Sequence, residues 1–540
     1  MAALIASAVK MAQGTSTPRA NGLEPRQDSD GSNPDASDFL RRNGGVVAVL
    51  GDRIYFDSGS VSQRGYSGKP PHRYSNSTLS IDLSNSWSLA SVSIFESPRL
   101  YSPSLVSPAI MTNTSECFFI WGYGSPAPTT PELWKFCANG GGTWGAWEEV
   151  NLPPDSKFDE YQVMSHAAYA SSKDTGFAFG GRIDMDKFSE QFLSFNFTTQ
   201  VLTSHDLPSP LSDAEERRLW GARAIFVPNY GLNGLVFLLG GVSGSINDAG
   251  AYQPFTRVWF MDPVTTKWHK QETTATSDGF PYGRHQHCLV GVAGANNTYE
   301  IYMFGGANNE KRIVYDDVYV LSLPSFTWSR AGRVDEDEAR YGQACAIVGN
   351  SQLLTWGGLT FGEWNDTYLE RDPWRQGLKI FDLNTFEWPP GYNAQASPYK
   401  AHSKVVAARS TPAVLASDVR EFFETNGTEP PSENDPEPSS TTPVGAIVGG
   451  VVGGVALIAI AAAIWFFVSR RRRTRTRSTP DAPEQDSAAD KTQYEPVPGS
   501  VSPQYMAELH EQNQPAEMMG QGKEPPRQVH EMDGGYTTRS

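Results

Sequence analysis

Histidine and cysteine are scarce in this chain, nine and four residues among 540. Four cysteines exclude a disulfide-dense scaffold and a cysteine-rich metal cluster. Basic charge is short as well: 44 Lys and Arg stand against 60 Asp and Glu, a formal net charge of −16. That balance argues against nucleic acid or anionic lipid as the main partner. Gly-x-Ser-x-Gly, His-Glu-x-x-His and phosphate-loop patterns are all missing, which removes the usual signatures of hydrolase, zinc-peptidase and nucleotide chemistry. Long apolar runs are lacking too, save one near the C-terminus.

Glycine, by contrast, is placed with regularity. Four doublets each close a short apolar strand, Phe177 to Gly181, Val236 to Gly241, Tyr302 to Gly306 and Leu353 to Gly358. Their intervals of 60, 65 and 52 residues are too long for a helical solenoid and suit four strands plus loops. A second strand, a turn and an aromatic follow each of the later doublets, as in Phe260-Met261-Asp262 to Trp268, Val320-Leu321 to Trp328 and Phe381-Asp382 to Trp388. Weaker copies run from Ile54 to Gly59 with Trp87, and from Phe118 to Gly122 with Trp144. The copy ending in Gly180-Gly181 carries Val201 in place of tryptophan. Six units fit between Phe39 and Pro412, with Tyr399 to Val414 as material for a seventh.

These units resemble kelch repeats over roughly 370 of the 540 residues. The resemblance implies an all-β fold, a β-propeller of six or seven blades. Glycines at the strand ends would adopt φ > 0 and let sheets approach closely, while the tryptophans fill the wedges between them.

The one apolar run, Val444 to Val468, is 25 residues without a charge, enough to cross a hydrocarbon core of about 30 Å. Arg470 to Arg473, Arg475 and Arg477 follow it, which predicts a single-pass helix with its C-terminal side in the cytoplasm. Six Asn-x-Ser/Thr sequons, at Asn76, Asn113, Asn196, Asn296, Asn365 and Asn426, all precede this segment and are N-glycosylation candidates. Export of the whole preceding domain calls for a signal peptide; either Ala2 to Val9 serves, or the true start lies upstream. Gly445, Gly449, Gly450, Gly453 and Gly454 form overlapping small-xxx-small pairs that predict a homodimer through the helix.

The expected organisation is therefore an N-terminal low-complexity segment (1–38), a propeller ectodomain (39–415), a Pro/Ser/Thr/Glu-rich stalk (416–443), the transmembrane helix (444–468) and a disordered cytoplasmic tail (469–540). The tail holds one sorting-type pattern, Tyr494-Glu495-Pro496-Val497. The whole arrangement looks like the kelch-repeat single-pass membrane proteins of filamentous fungi, which are often described as cell-wall anchored. That resemblance implies a plasma-membrane glycoprotein without catalysis or cofactor, binding an extracellular protein or a cell-wall glycan. A membrane-tethered galactose oxidase-like copper enzyme and an intracellular kelch scaffold are the alternatives.

Site residues follow from this layout. In four-stranded antiparallel units, the loops between second and third strands fall on one face of the ring. Here these loops are long: Ser58 to Ser77, Val242 to Phe255, Ala307 to Asp316 and Leu359 to Gly377. They present Tyr66, Arg73, Tyr74, Tyr252, Phe255, Trp364, Trp374 and Arg375 as a ligand surface. Arg42, Arg99, Arg223, Arg284 and Arg340 recur ahead of the innermost strands; they either ring the mouth of the channel, where an anion could bind, or serve as salt bridges between blades. His285 and His287, two apart on a strand, are the only metal candidates, with no third ligand evident. Cys117 and Cys137 face each other across a hairpin and are expected to form a disulfide. Cys288 and Cys345 read as two small buried apolar residues.

Overall fold

The computed structural model describes residues 33–424, apart from 100–103, 106, 113–115, 123, 126–131, 139–144, 153–163, 184–187, 209–210, 212–218, 244–250 and 363. Among them the chain forms a β-propeller. The first sheet holds Val46–Leu50, Arg53–Asp57, Ser77–Asp82 and Phe95–Pro98, and the second Ala109–Thr112, Cys117–Gly122, Glu132–Ala138 and Gly145–Glu149. The third contains Ala168–Ser171, Thr175–Phe179, Gln191–Asn196 and Leu202–Asp206; the fourth, Arg223–Val227, Leu235–Leu239, Arg257–Met261 and Trp268–Glu272. Cys288–Ala293, Tyr299–Phe304, Asp317–Leu323 and Thr327–Arg333 make the fifth, to whose outer edge Thr274–Ala275 adds in parallel, and Ala344–Val348, Gln352–Trp356 and Leu378–Asp382 make the sixth. Each first strand packs against those of the two neighbouring sheets, and that of the sixth returns to the first, so the cycle closes.

The glycine doublets make this closure. Both glycines of Gly180-Gly181 and of Gly357-Gly358 lie at positive φ, 61° and 99°, 81° and 103°. A Cβ on Gly180 would sit 2.1 Å from the Leu219 carbonyl oxygen, so no larger residue fits. The second glycine of each doublet donates its N–H to the connection leading into the next sheet: Gly181 to Leu219 O, Gly241 to Arg284 O, Gly306 to Arg340 O and Gly358 to Arg42 O. The last of these joins the sixth sheet to the first. Tryptophans add a second set of ties, since Trp328, fully buried, donates Nε1–H to Phe255 O at 2.9 Å and Trp388 donates to Arg333 O at 3.1 Å.

Beyond the sixth sheet the chain departs from the expected boundaries. Residues 399–414 contain the helix Ser403–Ala408 and no strand, so they build no seventh sheet. Nor does the ordered fold stop at 415. The segment crosses the face of the tight turns: Arg409 pairs with the buried Glu300, Ala413 N donates to Ser325 O, and Asp418 accepts from His269 Nδ1 at 3.0 Å. Val419 and Phe423 then enter the apolar core beside Tyr230, Phe260 and Phe326. Polar ties and apolar side chains together hold residues 416–424 on the ring, a stretch whose composition suggests a stalk.

Both cysteine pairs are bonded. Cys117 and Cys137 lie opposite in register with Cα atoms 4.1 Å apart. Cys288 and Cys345, on first strands of adjacent sheets, are bonded over a Cα separation of 6.0 Å, which corrects their reading as unlinked apolar residues. Because this bond closes a 57-residue loop, chain entropy alone assigns it about 4 kcal/mol. Replacing both cysteines (C288A/C345A) is expected to lower unfolding free energy by about 2–4 kcal/mol, read as a shift of the urea midpoint; an unchanged midpoint would refute the bond's contribution.

Among the described residues no helix is long and apolar enough to cross a membrane. The Val444–Val468 run with its five glycines, the sequon at Asn426, the stalk beyond residue 424 and the tail lie outside the described residues, as do Ala2 to Val9 and Asn113.

Candidate functional site

Six residues ahead of the first strands mark the ring axis: Gly44, Ser107, His166, Gly221, Gln286 and Gly342. All have left-handed φ, between 44° and 71°. Their backbones link from sheet to sheet, with Gly221 N donating to His166 O, Gln286 N to Gly221 O, Gly342 N to Gln286 O and Gly44 N to Gly342 O. They close down a cavity lined also by Asn43, Tyr169 and Arg223, with room of about 20 Å³ for the centre of a water molecule. Its enclosed part suits about one water.

The left-handed Gln286 also separates the two weak metal candidates. Residues two apart share a face only where the backbone is regularly extended, and a φ of 50° at Gln286 turns the flanking imidazoles apart. His285 packs on Trp220, with ring centroids 4.7 Å apart, and places Nε2 3.3 Å from Asn309 Oδ1. His287 is enclosed against Phe255 and the Gly240 backbone. Burial pulls the His285 imidazole down to about 4 and His287 well below its ordinary range; both are neutral core residues. Among the described residues no three His, Cys, Asp or Glu side chains converge on a metal position.

Nor do the five arginines ring an open mouth. Arg284 is fully buried, donating Nη1–H to Gly305 O at 3.0 Å and pairing with Asp317. Arg340 repeats this with Gly357 O at 2.9 Å and Asp372 at 3.3 Å. Arg99 pairs with Asp57 and lies over the Trp147 ring. Arg42 bonds Asn33 Oδ1 and covers Phe56. Arg223 alone faces the axial cavity, because Leu219, not Arg223, occupies the position equivalent to Arg284 and Arg340. A buried guanidinium needs acceptors to receive it: for Arg284 and Arg340 these are the carbonyl of the doublet's first glycine and an aspartate on or ahead of the third strand, for Arg99 it is Asp57 of the preceding sheet, and for Arg42 the Asn33 side chain.

The aromatic loop surface divides. Phe255 and Trp374 are core residues, 2% and 4% exposed. Trp374 stacks beneath Arg340, and the Trp328 indole meets Phe255 edge-on. Both left the surface because each fills the gap between two sheets. Tyr66, Arg73 and Tyr74 stay together at the first sheet, half-buried, with Arg73 over the Tyr66 ring and donating to Gln63 at 2.7 Å. Arg375 is exposed, and Trp364 opens the short helix Trp364–Thr367, which also contains Asn365. Of the remaining sequons, Asn296 lies exposed in the turn between the first two strands of the fifth sheet. Asn76 and Asn196 are half-buried, and Asn196 Oδ1 accepts from Thr198 N and Thr199 N.

Tyr252 belongs to a site that composition did not reveal. A hairpin between the second and third strands of the fifth sheet, Ala307–Asn308 paired with Ile313–Val314 as a sheet of its own, projects a tip of Asn309, Glu310, Lys311 and Arg312. Three neighbours hold it. From the fourth sheet, the Tyr252 hydroxyl accepts from Asn309 N at 2.7 Å; Lys311 Nζ lies 4.5 Å above the ring of Tyr282; and Arg312 reaches Phe361, on the long loop of the sixth sheet, at 5.4 Å. Tyr282 is 62% exposed, Ile313 43% and Phe361 42%. Lys311, Arg312 and Ile313 are not aromatic, and Tyr282 precedes a first strand, outside the long loops.

A kelch-repeat family model spans the second to the sixth sheets. The KLHDC2/KLHL20/DRC7 Kelch-repeats domain matches residues 109–358 and, in an overlapping match, 224–415. A kelch repeat-containing protein of Arthroderma benhamiae is 22% identical over 409 residues, covering 66% of this chain and 58% of that protein, so the chain spans somewhat over half of its relative's length. Among solved structures, that of YjhT aligns with a TM-score of 0.41 at 14% identity, over 60% of this chain and 92% of that one. With matches running through the fourth, fifth and sixth sheets and their glycine doublets, the chain belongs to the kelch-repeat family.

Proposed function

We propose that the chain is a non-catalytic binding module, a six-bladed propeller that offers its long-loop face to an extracellular protein or cell-wall glycan while a single helix at 444–468 tethers it to the plasma membrane. One observation carries the binding reading. Four of the five arginines singled out ahead of the first strands, and both histidines of the His285–His287 pair, are buried and committed within the ring, whereas Tyr282, Lys311, Arg312, Ile313 and Phe361 are exposed together on the loop face. A rigid ring presenting loops is a recognition scaffold. The outside location is supported by the two disulfides, which persist in oxidising compartments, and by the arginine cluster after the apolar run. An intracellular scaffold is the competing reading, and kelch-family membership suits it equally.

Treating the native protein with an N-glycosidase separates the two. A downward mobility shift is expected, reduced by Asn296→Gln, since Asn296 is exposed in its turn. An unchanged mobility, together with resistance of the intact-cell protein to external protease, would place the propeller inside the cell.

A further inference from the structure

We propose that the tip of the hairpin at 307–314 is the docking point for an acidic segment of a protein partner, with Lys311 and Arg312 as paired cationic contacts. The proposal rests on the binding-module reading and adds the chemistry of the ligand. Lys311 and Arg312 are exposed, and their charges meet ring faces, Tyr282 and Phe361, in place of carboxylates. A cation held on a ring keeps most of its charge available while losing part of its freedom. That is the opposite of the buried Arg284 and Arg340, each neutralised by an aspartate.

The hairpin is fixed on the scaffold. Tyr252 accepts from Asn309 N, neutral His285 contacts the Asn309 side chain at 3.3 Å, and the Asn308 amide donates to Gly283 O and caps Lys311 N. Glu310 is the one carboxylate of the tip, set against two cations, Lys311 and Arg312.

Carbohydrate is the less suitable occupant. Sugars stack on open ring faces, but here Lys311 lies over one ring and Arg312 over the other, and Tyr282 also stacks on Tyr315 at 6.4 Å. What remains is part of the Phe361 ring, the exposed Ile313 side chain and two positive charges. A peptide alternating carboxylates with aliphatic side chains matches that surface, the charges giving orientation and rate and the apolar edges contact area.

The test uses the full chain in detergent micelles and a fluorescent twelve-residue peptide of alternating Glu and Leu, with the Gln and Leu counterpart as control. The acidic peptide is expected to bind, to weaken with added salt, and to lose at least tenfold in affinity when the charges are reversed in K311E/R312E; Tyr282→Ala, which frees Lys311, is expected to weaken binding to a smaller extent. Equal binding of the Gln peptide, or an unaffected K311E/R312E chain with an unchanged thermal midpoint, would overturn the proposal. A wild-type chain that ignores the acidic peptide overturns the docking point and leaves the binding module standing. The module itself falls if the wild-type chain retains no protein or glycan from cell-surface and cell-wall extracts.

Discussion

Arg340→Ala is expected to cost the propeller roughly 3–5 kcal/mol, the range for stripping one partner from a buried ion pair. Arg340 has no exposed surface, and the side chain of Asp372 has none either. The guanidinium donates to Glu338 O at 3.0 Å and Gly357 O at 2.9 Å, and makes two contacts of 3.3 Å with Asp372. It therefore ties the connection into the sixth sheet to a glycine of the doublet and to the long loop. Its removal strands a carboxylate and exposes the Trp374 face on which it rests. Arg41, 3.7 Å from the same aspartate, keeps some counter-charge and holds the loss toward the lower end. Arg340→Lys is expected to retain less than half of the contribution, because an ammonium cannot match both carboxylate oxygens and the carbonyl at once. Urea unfolding would measure the cost, and adding Asp372→Asn to Arg340→Ala should recover part of it. If the double variant is as unstable as the sum of the singles, the charge pairing is not what Arg340 supplies.

Much of the ring was legible because its ties depend on residue types with few substitutes. A Cβ on Gly180, Gly305 or Gly357 would fall within 2.8 Å of a neighbouring carbonyl oxygen, so glycine is required where the third, fifth and sixth sheets meet the next connection. Tryptophans such as Trp328 are large enough to span the widening gap outside the axis. The site was less legible, for a physical reason. Tyr252, Phe255 and Trp374 all sit on loops, and sequence cannot tell a loop aromatic that faces solvent from one that folds into the wedge between sheets. Phe255 and Trp374 do the latter. Alternation failed at His285 and His287 because one left-handed residue, Gln286, stands between them, and nothing in its identity announces a positive φ. The Cys288–Cys345 bond was hidden for a related reason: separation between first strands of adjacent sheets is set by the ring's geometry, not by spacing along the chain. The cationic tip escaped notice because it acts through Lys and Arg in an acidic chain, where such residues look like ordinary surface.

Acidification from pH 7 toward 4 is expected to destabilise the ring progressively, and its buried histidines are the cause. Enclosure holds His285 near 4 against an ordinary 6.5. His166 is held near 3 by burial first and then by the charges of Arg182, Arg223 and His285. Their folded values are depressed, so between the folded and the unfolded value the unfolded chain binds more protons than the folded one. Stability is then full above 6.5 and falls as pH drops through the window down to about 4. At about 1.4 kcal/mol per tenfold change in proton affinity, His285 carries on the order of 3 kcal/mol. His166 keeps some contact with solvent at the cavity wall and adds less than its depression implies. Glu300 works the other way: burial raises its carboxyl, and although Arg409 draws it back, protonation favours its folded surroundings, so it softens the loss at the acid end. The prediction is a thermal midpoint that declines below pH 6.5 and a shallower decline in His285→Asn, which preserves a polar contact to Asn309 without a titrating ring. A midpoint flat from pH 7 to 4.5 would mean that these imidazoles protonate in place, and that the packing around Gln286 opens to water more readily than its hydrogen bonds to Gly221 and Gly342 suggest.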